Sequence, residues 1–313
     1  MSGRRSGNEP SHVLLLFLDG VGIGKRDPAI NPFYASQLPN LKRILGGELP
    51  HLRGRRISTS GARVVPLDAT FRMPGLPQSG TGQAALFTGL NAARINGRHF
   101  GPFPPSDVRP YLETHNIFRQ LLTRGKTVSF ANAFPEQFFE YTRSGTRRLT
   151  VTTMSCMMAG VPLLTADILR KGEAVSADIT RERWGELGYP DIGPIPAREA
   201  GKHLAALAAA HDFTLFEYWL PDHAGHRQDM QAAVEVMERL DAMLGGILEG
   251  VDPTGTLIVL TSDHGNVEDL SIKMHTRNPV PCVVIGSQAG KFVSGLRSLV
   301  DVTPRILKFL DGQ

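Results

Sequence analysis

Cysteine is nearly absent from this chain. Its 313 residues include 2 cysteines, Cys156 and Cys282, far apart and in no C-x-x-C spacing. That argues against a disulfide framework and suits a reducing compartment. Long apolar runs are also missing, and no stretch reaches the roughly 20 residues that a membrane-spanning helix needs. The apolar run at 13–18, VLLLFL, follows Arg4 and Arg5. It is too short for the core of a signal peptide, and Asp19 follows it with no small-residue cleavage site. Aromatic content is 7%, and the net charge of +4 is spread thinly, with small basic clusters at Arg4-Arg5 and at Arg53, Arg55 and Arg56. No basic run is interleaved with aromatics, so nucleic acid is not an expected partner. Internal repeats and low-complexity tracts are lacking. These absences predict a soluble, cytoplasmic protein; they leave its oligomeric state open.

What is present is ordinary globular material: 41% hydrophobic and 20% charged residues, enough for a sizeable core. Residues 1–11 are polar and expected to be loose. Short apolar, β-branched runs predict buried strands at 13–18, 213–220, 256–260 and 281–285. Helical patterns predict helices at 35–46 (entered at Ser36), 197–211, 229–249 and 300–310. In 229–249 the apolar positions Val234, Met237, Leu240, Leu244 and Leu248 read as core packing. The span 50–72 is β-rich and irregular. Proline- and glycine-rich stretches at 101–105 and 188–196 mark two hinges. Between them are helix signals near 107–124 and 162–171 and a strand at 126–131. The expected organisation is a core from 1–100 and 197–313 with an inserted α+β cap over 101–196. The fold class is α/β, a three-layer sandwich on a mostly parallel central sheet.

Chemistry collects at the ends of the predicted strands. The strand at 256–260 runs into Asp263-His264-Gly265-Asn266, and His275-Thr276 follows a short loop later. The first strand ends in Asp19 and a glycine-rich turn, LDGVGIG. That turn lacks the G-x-G-x-x-G spacing of a dinucleotide site, and Pro28 and Pro32 break the helix that should follow. The strand at 213–220 leads into Asp222 and His226, four apart and so on one face of a helix turn. Ser79 and Thr81 lie on a glycine-rich turn just before an apolar helix, a place for an N-cap or for a phosphoryl group held by free N–H groups. In open α/β sheets ligands bind at this carboxyl edge. Three Asp and three His buried together require cations between them. A mixture of Asp and His suits zinc or manganese better than calcium or magnesium. With Thr81 the set numbers seven ligands, enough for two divalent ions sharing one site. Two ions roughly 3.5–4 Å apart clamp the attacking and leaving oxygens of an in-line displacement.

The motif order Asp-Gly, hydroxyl in a glycine-rich turn, D-x-x-G-H, S-D-H-G-N, then H-T-x-N-P-V-P resembles the alkaline phosphatase superfamily. LTSDHGNVED and HTRNPVP are similar to motifs of its cofactor-independent phosphoglycerate mutases, and LDGVGIG to the start of a phosphopentomutase. The resemblance covers roughly 12–94 and 197–286. It implies one metal held by Asp222, His226 and His275. The other would be held by Asp19, Asp263 and His264, with Thr81 as the nucleophile bridging toward it; counting back from Gly89 favours Thr81 over Ser79. It further implies attack by Thr81 on the phosphorus of a small phosphorylated substrate, through a phospho-threonine.

Two features depart from the mutases. Their nucleophile is a Ser in G-N-S-E-V-G-H, whereas this chain has SGTGQAAL, with no matching His. Their inserted segment is also much longer. The expected activity is therefore phosphatase- or phosphodiesterase-like, with a phosphomutase as the alternative. Arg94, Arg98 and His99, just past the nucleophile helix, are candidate ligands for a substrate phosphate. Sulfate-ester hydrolysis is disfavoured because the turn lacks C/S-x-P-x-R. A catalytically silent metal-binding protein is the reading from another class.

Overall fold

A computed structural model describes residues 12–54, 56–145 and 148–313. The segment 1–11, expected to be loose, and Arg55 of the basic cluster lie outside the described residues. Among the described residues, nine strands form two sheets. They are β1 His12–Leu18, β2 Ile57–Ser58, β3 Ala62–Leu67, β4 Val128–Phe130, β5 Ala133–Phe134, β6 Leu164–Thr165, β7 Phe213–Tyr218, β8 Thr256–Ser262 and β9 Val280–Ile285. The large sheet has the order β2-β3-β9-β8-β1-β7-β4. The pairs β8/β1, β1/β7 and β7/β4 are parallel, while β9 runs antiparallel to both β8 and β3. Since β2 opposes β3, five of the seven strands point one way and two oppose them.

The central strands are apolar on both faces because both faces are covered. Val13, Leu15 and Phe17 of β1 face one helical layer, which includes Ser79–Thr88, Ile117–Leu122 and Val302–Leu310. Leu14, Leu16 and Leu18 face the other, built on Ala197–Ala210 and Met230–Gly250. Met237, Leu240 and Leu244 are buried in that second layer, as their spacing predicts. This is the expected three-layer α/β sandwich.

The helix expected at 35–46 is interrupted. Pro32–Ala35 and Pro39–Ile44 are separate helices. Pro39 keeps Leu38 out of the helical region, at φ −121 and ψ 63. Ser36 closes the first helix instead of opening one; its hydroxyl donates to the Pro32 carbonyl at 2.7 Å.

The segment 101–196 divides between layers. β4 completes the edge of the large sheet, and the helices Arg109–His115, Ile117–Leu122 and Val151–Ala159 pack in the first core. Only β5, β6, the helix Ala166–Arg170 and the chain around Trp184 and Ile192 build a separate small core. No helix among the described residues is long and apolar enough to cross a membrane.

The topology places the site. β1, β7 and β8 are adjacent and parallel, so Asp19, Asp222 and Asp263 all leave the same edge. β8 and β9 are antiparallel neighbours, so the loop 263–279 starts and ends at that edge.

Candidate metal centre

Six side chains converge above β1, β7 and β8. Asp222, His226 and His275 form one group and Asp19, Asp263 and His264 a second; within each, the ligand atoms lie within 4.8 Å of one another. Asp222 and His226 are one turn apart on the helix Leu220–Arg227. His226 Nε2 is 3.3 Å from Asp222 Oδ2, and His275 Nε2 is 3.5 Å from Asp222 Oδ1. The two Nε2 atoms are 3.2 Å apart. Each ring turns its other nitrogen to a backbone carbonyl: His226 Nδ1 to Lys273 at 3.0 Å and His275 Nδ1 to Pro77 at 2.8 Å. A carbonyl only accepts, so each Nδ1 carries the proton and both Nε2 lone pairs point into one space beside a carboxylate. That is how a metal-ligating imidazole is held.

In the second group His264 Nε2 lies 3.4 Å from Asp19 Oδ1 and 3.5 Å from Asp263 Oδ2. Both oxygens are buried and have no hydrogen-bond donor. Leaving two such carboxylate oxygens bare costs several kcal/mol unless a cation sits between them. The rings of His264 and His275 stack with centroids 3.7 Å apart, so the two groups adjoin. The donors fit two divalent ions.

Comparison with known proteins bears on the same residues. Residues 197–312, which carry all of the six candidate ligands except Asp19, match the family model described as the metalloenzyme superfamily. The chain is 34% identical over 127 residues to the 2,3-bisphosphoglycerate-independent phosphoglycerate mutase of Desulforudis audaxviator, covering 38% of this chain and 25% of that protein. It is 36% identical over 115 residues to the enzyme of that name from Roseobacter denitrificans, covering 34% and 22%. Over residues 197–312 the chain is thus similar to the metalloenzyme superfamily, and its fold is alkaline phosphatase-like. Its fold matches the alkaline phosphatase from the Antarctic bacterium TAB5 with a TM-score of 0.57 at 14% identity, over 97% of this chain and 99% of that one. A protein from Pyrococcus horikoshii gives the same score and identity over 97% and 98%. The matched stretch spans about a quarter of the length of the curated mutases.

The superfamily resemblance assigns a hydroxyl to this site, and here the structure departs from the expectation. Thr81 is fully buried but turned away: its Oγ1 accepts from the Phe100 N–H at 3.2 Å and donates to the Gln78 carbonyl at 3.2 Å. Ser79 Oγ instead lies 2.9 Å from His264 Nε2. The helix starts at Ser79, not after Thr81, and ends at Gly89, whose φ is 76. Residues two apart on a helix point about 200° apart, so only one of the two hydroxyls can face the ligands. Gly82 sets which one. A Cβ there would come within 2.7 Å of the Asp263 carbonyl, so the bare glycine lets the helix lie against the end of β8.

The other predicted residues are placed apart. Arg94 is exposed on the helix Ala92–Asn96, and Arg98 lies over the Phe100 ring at 6.0 Å. His99 donates to the Thr70 carbonyl at 3.1 Å and stacks on Phe71. None of the three is brought into the ligand cluster by these contacts.

Charge is arranged as a metal site requires. Burial, then the charges of Asp263, Asp222 and Glu217, hold Asp19 well above the usual carboxylate range. Burial, then the charge of Asp222, pushes Asp263 up to about 7. Burial also raises Asp222, but the imidazole of His226, then His264, the Asn266 amide and His275 around it outweigh that and bring it below its ordinary value. Burial lowers His264 and His275 to about 4, leaving both neutral and ready to ligate at neutral pH.

Three supporting residues were given no role by the sequence, although Asn266 and Glu268 lie within LTSDHGNVED. Glu217 is a charged residue inside the fully buried strand FTLFEY, and burial pushes it up to about 8. A carboxylate in an otherwise apolar strand was the available signal. Asn266 donates to Asp222 Oδ1 at 2.7 Å. Glu268 is fully buried and accepts from Gly22 N, Asn266 N, Asn278 Nδ2 and Thr276 Oγ1. It ties the turn after β1 to both arms of the ligand loop. Gly22 permits this, since a Cβ there would sit 2.2 Å from Glu268 Oε1. Glu268→Gln places an NH2 against one pair of these donors. Metal affinity is expected to fall about 10–100-fold, read by competition with a chromogenic chelator.

Proposed function

We propose that the chain is a two-metal phosphoester hydrolase acting on a small phosphorylated substrate, with Ser79 as nucleophile. The observation that carries this reading is the Ser79 hydroxyl, 2.9 Å from His264 and at the head of a helix, beside two sets of three metal-ligating side chains. Asp222, His226 and His275 would hold one ion and Asp19, Asp263 and His264 the other. One carboxylate with two imidazoles, and two carboxylates with one, suit zinc or manganese. Bound there, the ions would make the Ser79 hydroxyl acidic enough to ionise and neutralise charge on the phosphoryl oxygens.

The residues of the chain supply the rest. Ser79 Oγ forms a bond to phosphorus as the bond from phosphorus to the substrate's ester oxygen breaks, and that oxygen leaves with a proton. Water then breaks the phospho-serine, returning the hydroxyl and releasing inorganic phosphate. The first-turn N–H groups and dipole of Ser79–Thr88 favour the phosphoryl charge. Asn266 orients Asp222, and the carbonyls of Lys273 and Pro77 orient His226 and His275. The separate core around β5 and β6 would act as the cap.

A phosphomutase is the second reading, favoured by the mutases named above. Stripping metal with a chelator is expected to abolish turnover of a generic phosphoester, and about two zinc or manganese ions per chain are expected to restore it. Free phosphate as the product supports the hydrolase; an isomerised ester without phosphate supports the mutase. Full turnover in the metal-free protein would defeat both.

A further inference from the structure

A cavity of about 370 Å³ opens from the metal centre toward the small β5–β6 core. Asp19 and Glu217 form part of its wall, so it adjoins the proposed phosphoryl site directly. The remaining wall is largely apolar: Phe103, Phe134, Phe138, Leu149, Trp184 and Trp219, drawn from separate segments of the chain. Phe134 and Phe138 pack with ring centroids 4.5 Å apart. Both tryptophans of the protein are here.

The polar groups of this wall are largely engaged with one another. Trp184 Nε1 donates to Ser176 Oγ at 2.7 Å, and Ser176 Oγ donates to Asp178. Asp178 also accepts from Arg181 N at 3.0 Å and Arg183 N at 3.3 Å. Asn132 is spent on the Glu217 backbone, donating to its carbonyl at 2.8 Å and accepting from its N–H at 2.9 Å. Thr150 donates to Thr153 at 3.1 Å. The two cations in the wall, Arg148 and Arg183, are exposed. The Arg183 side chain keeps 65% of its surface in solvent. A polyhydroxy group would therefore meet few free partners and its desolvated polar atoms would go unpaired, while a carboxylate would find only solvent-exposed cations, whose pairing is weak. Between the lining residues Asp178 and Arg183 the chain is held at a conformational cost: buried Ile179 sits at φ 69 and Arg181 at φ 64. Strain of this kind persists at sites where the surroundings over-determine the shape.

We infer that this cavity takes the alcohol part of the substrate, and that the substrate class is a phosphomonoester of an aromatic or bulky apolar alcohol, not of a sugar or hydroxy acid. The inference rests on the phosphoester reading above for the position of the phosphoryl group. It sets this chain apart from relatives named for phosphoglycerate.

The test compares benzyl phosphate, glycerol 2-phosphate and 3-phosphoglycerate with the metal-loaded protein. All three have alkyl-type ester oxygens, so leaving-group reactivity does not dominate. Burying the ring is expected to raise kcat/KM for benzyl phosphate at least about tenfold over the other two. In Phe138→Ala and Trp219→Ala, both at partly exposed positions, that ratio is expected to fall toward one. Equal or better turnover of either polar ester, or a ratio unmoved in both variants, overturns the inference while the phosphoester reading survives. Binding gives an independent measure. Benzylphosphonate is expected to quench tryptophan fluorescence at a concentration at least about tenfold below methylphosphonate. If no ester is turned over but this preference holds and weakens in Phe138→Ala, the phosphoester reading fails and the cavity assignment stands. If neither phosphonate is preferred, the cavity assignment fails.

Discussion

Ser79→Ala is expected to lower phosphoester turnover by a factor on the order of a thousand or more, because a nucleophile works as a unit with the groups around it. Thr81→Val is expected to keep turnover within about tenfold of wild type. Its effect belongs to stability. The Phe100 N–H loses its buried acceptor, a cost of about 1–3 kcal/mol that urea denaturation would record. The two variants thus separate a hydroxyl that touches the reacting atoms from one that ties a loop to a helix. Acid quenching during turnover is expected to trap one phosphoryl group on Ser79, located by peptide fragmentation. An active Ser79→Ala together with an inert Thr81→Val would return the role to Thr81 and refute the assignment made from the hydrogen bonds.

Asp263→Asn is expected to move stability in opposite directions with and without metal. In the metal-free protein the Asp263 carboxyl is fully buried, one of its oxygens lacks a donor, and burial and the charge of Asp222 push it up to about 7. A carboxyl with a raised folded value binds its proton more tightly folded than unfolded. Its contribution is fully present below about pH 4 and is lost as pH rises through about 7. His264 works in the other sense. Its value falls from 6.5 to about 4, so its neutral form stabilises the fold above that window and the contribution is lost on acidification. Comparing wild type with Asp263→Asn at each pH largely cancels the His264 part. At about pH 8, in chelator, the neutral Asn is expected to raise stability by about 1–3 kcal/mol by removing a buried unpaired charge. With zinc or manganese present, the same change is expected to lower the thermal midpoint and release about one ion per chain. Thermal scans with and without chelator, plus metal analysis, decide it. A variant destabilised equally in both conditions would mean that Asp263 serves the fold and not a cation.

The clustering of six Asp and His side chains was legible in the sequence because each is fixed by local chain geometry. Asp19 and Asp263 directly follow buried strands, Asp222 and His226 share a helix turn, and His275 is close in sequence to His264. Strand ends in a parallel sheet share an edge, so short-range pattern plus one topological rule gathered them. Glu268 was not legible. It lies within the motif LTSDHGNVED, but its role does not show there, because its four partners come from residues 22, 266, 276 and 278. β4 read correctly as a strand, but its place in the large sheet depends on pairing with β7, some 85 residues on.

The sequence by itself determined the three-layer architecture and the gathering of three Asp and three His at one sheet edge. Apolar strands bounded by acidic and histidine residues allow few other arrangements. The tertiary structure alone decided which hydroxyl faces that centre and what lies beyond it. Ser79 and Thr81 are chemically near-equivalent and separated by one glycine, so composition and spacing do not distinguish them. The choice is made by helix phase and by the contact of Gly82 with the end of β8, and both are set by packing between segments distant in the chain.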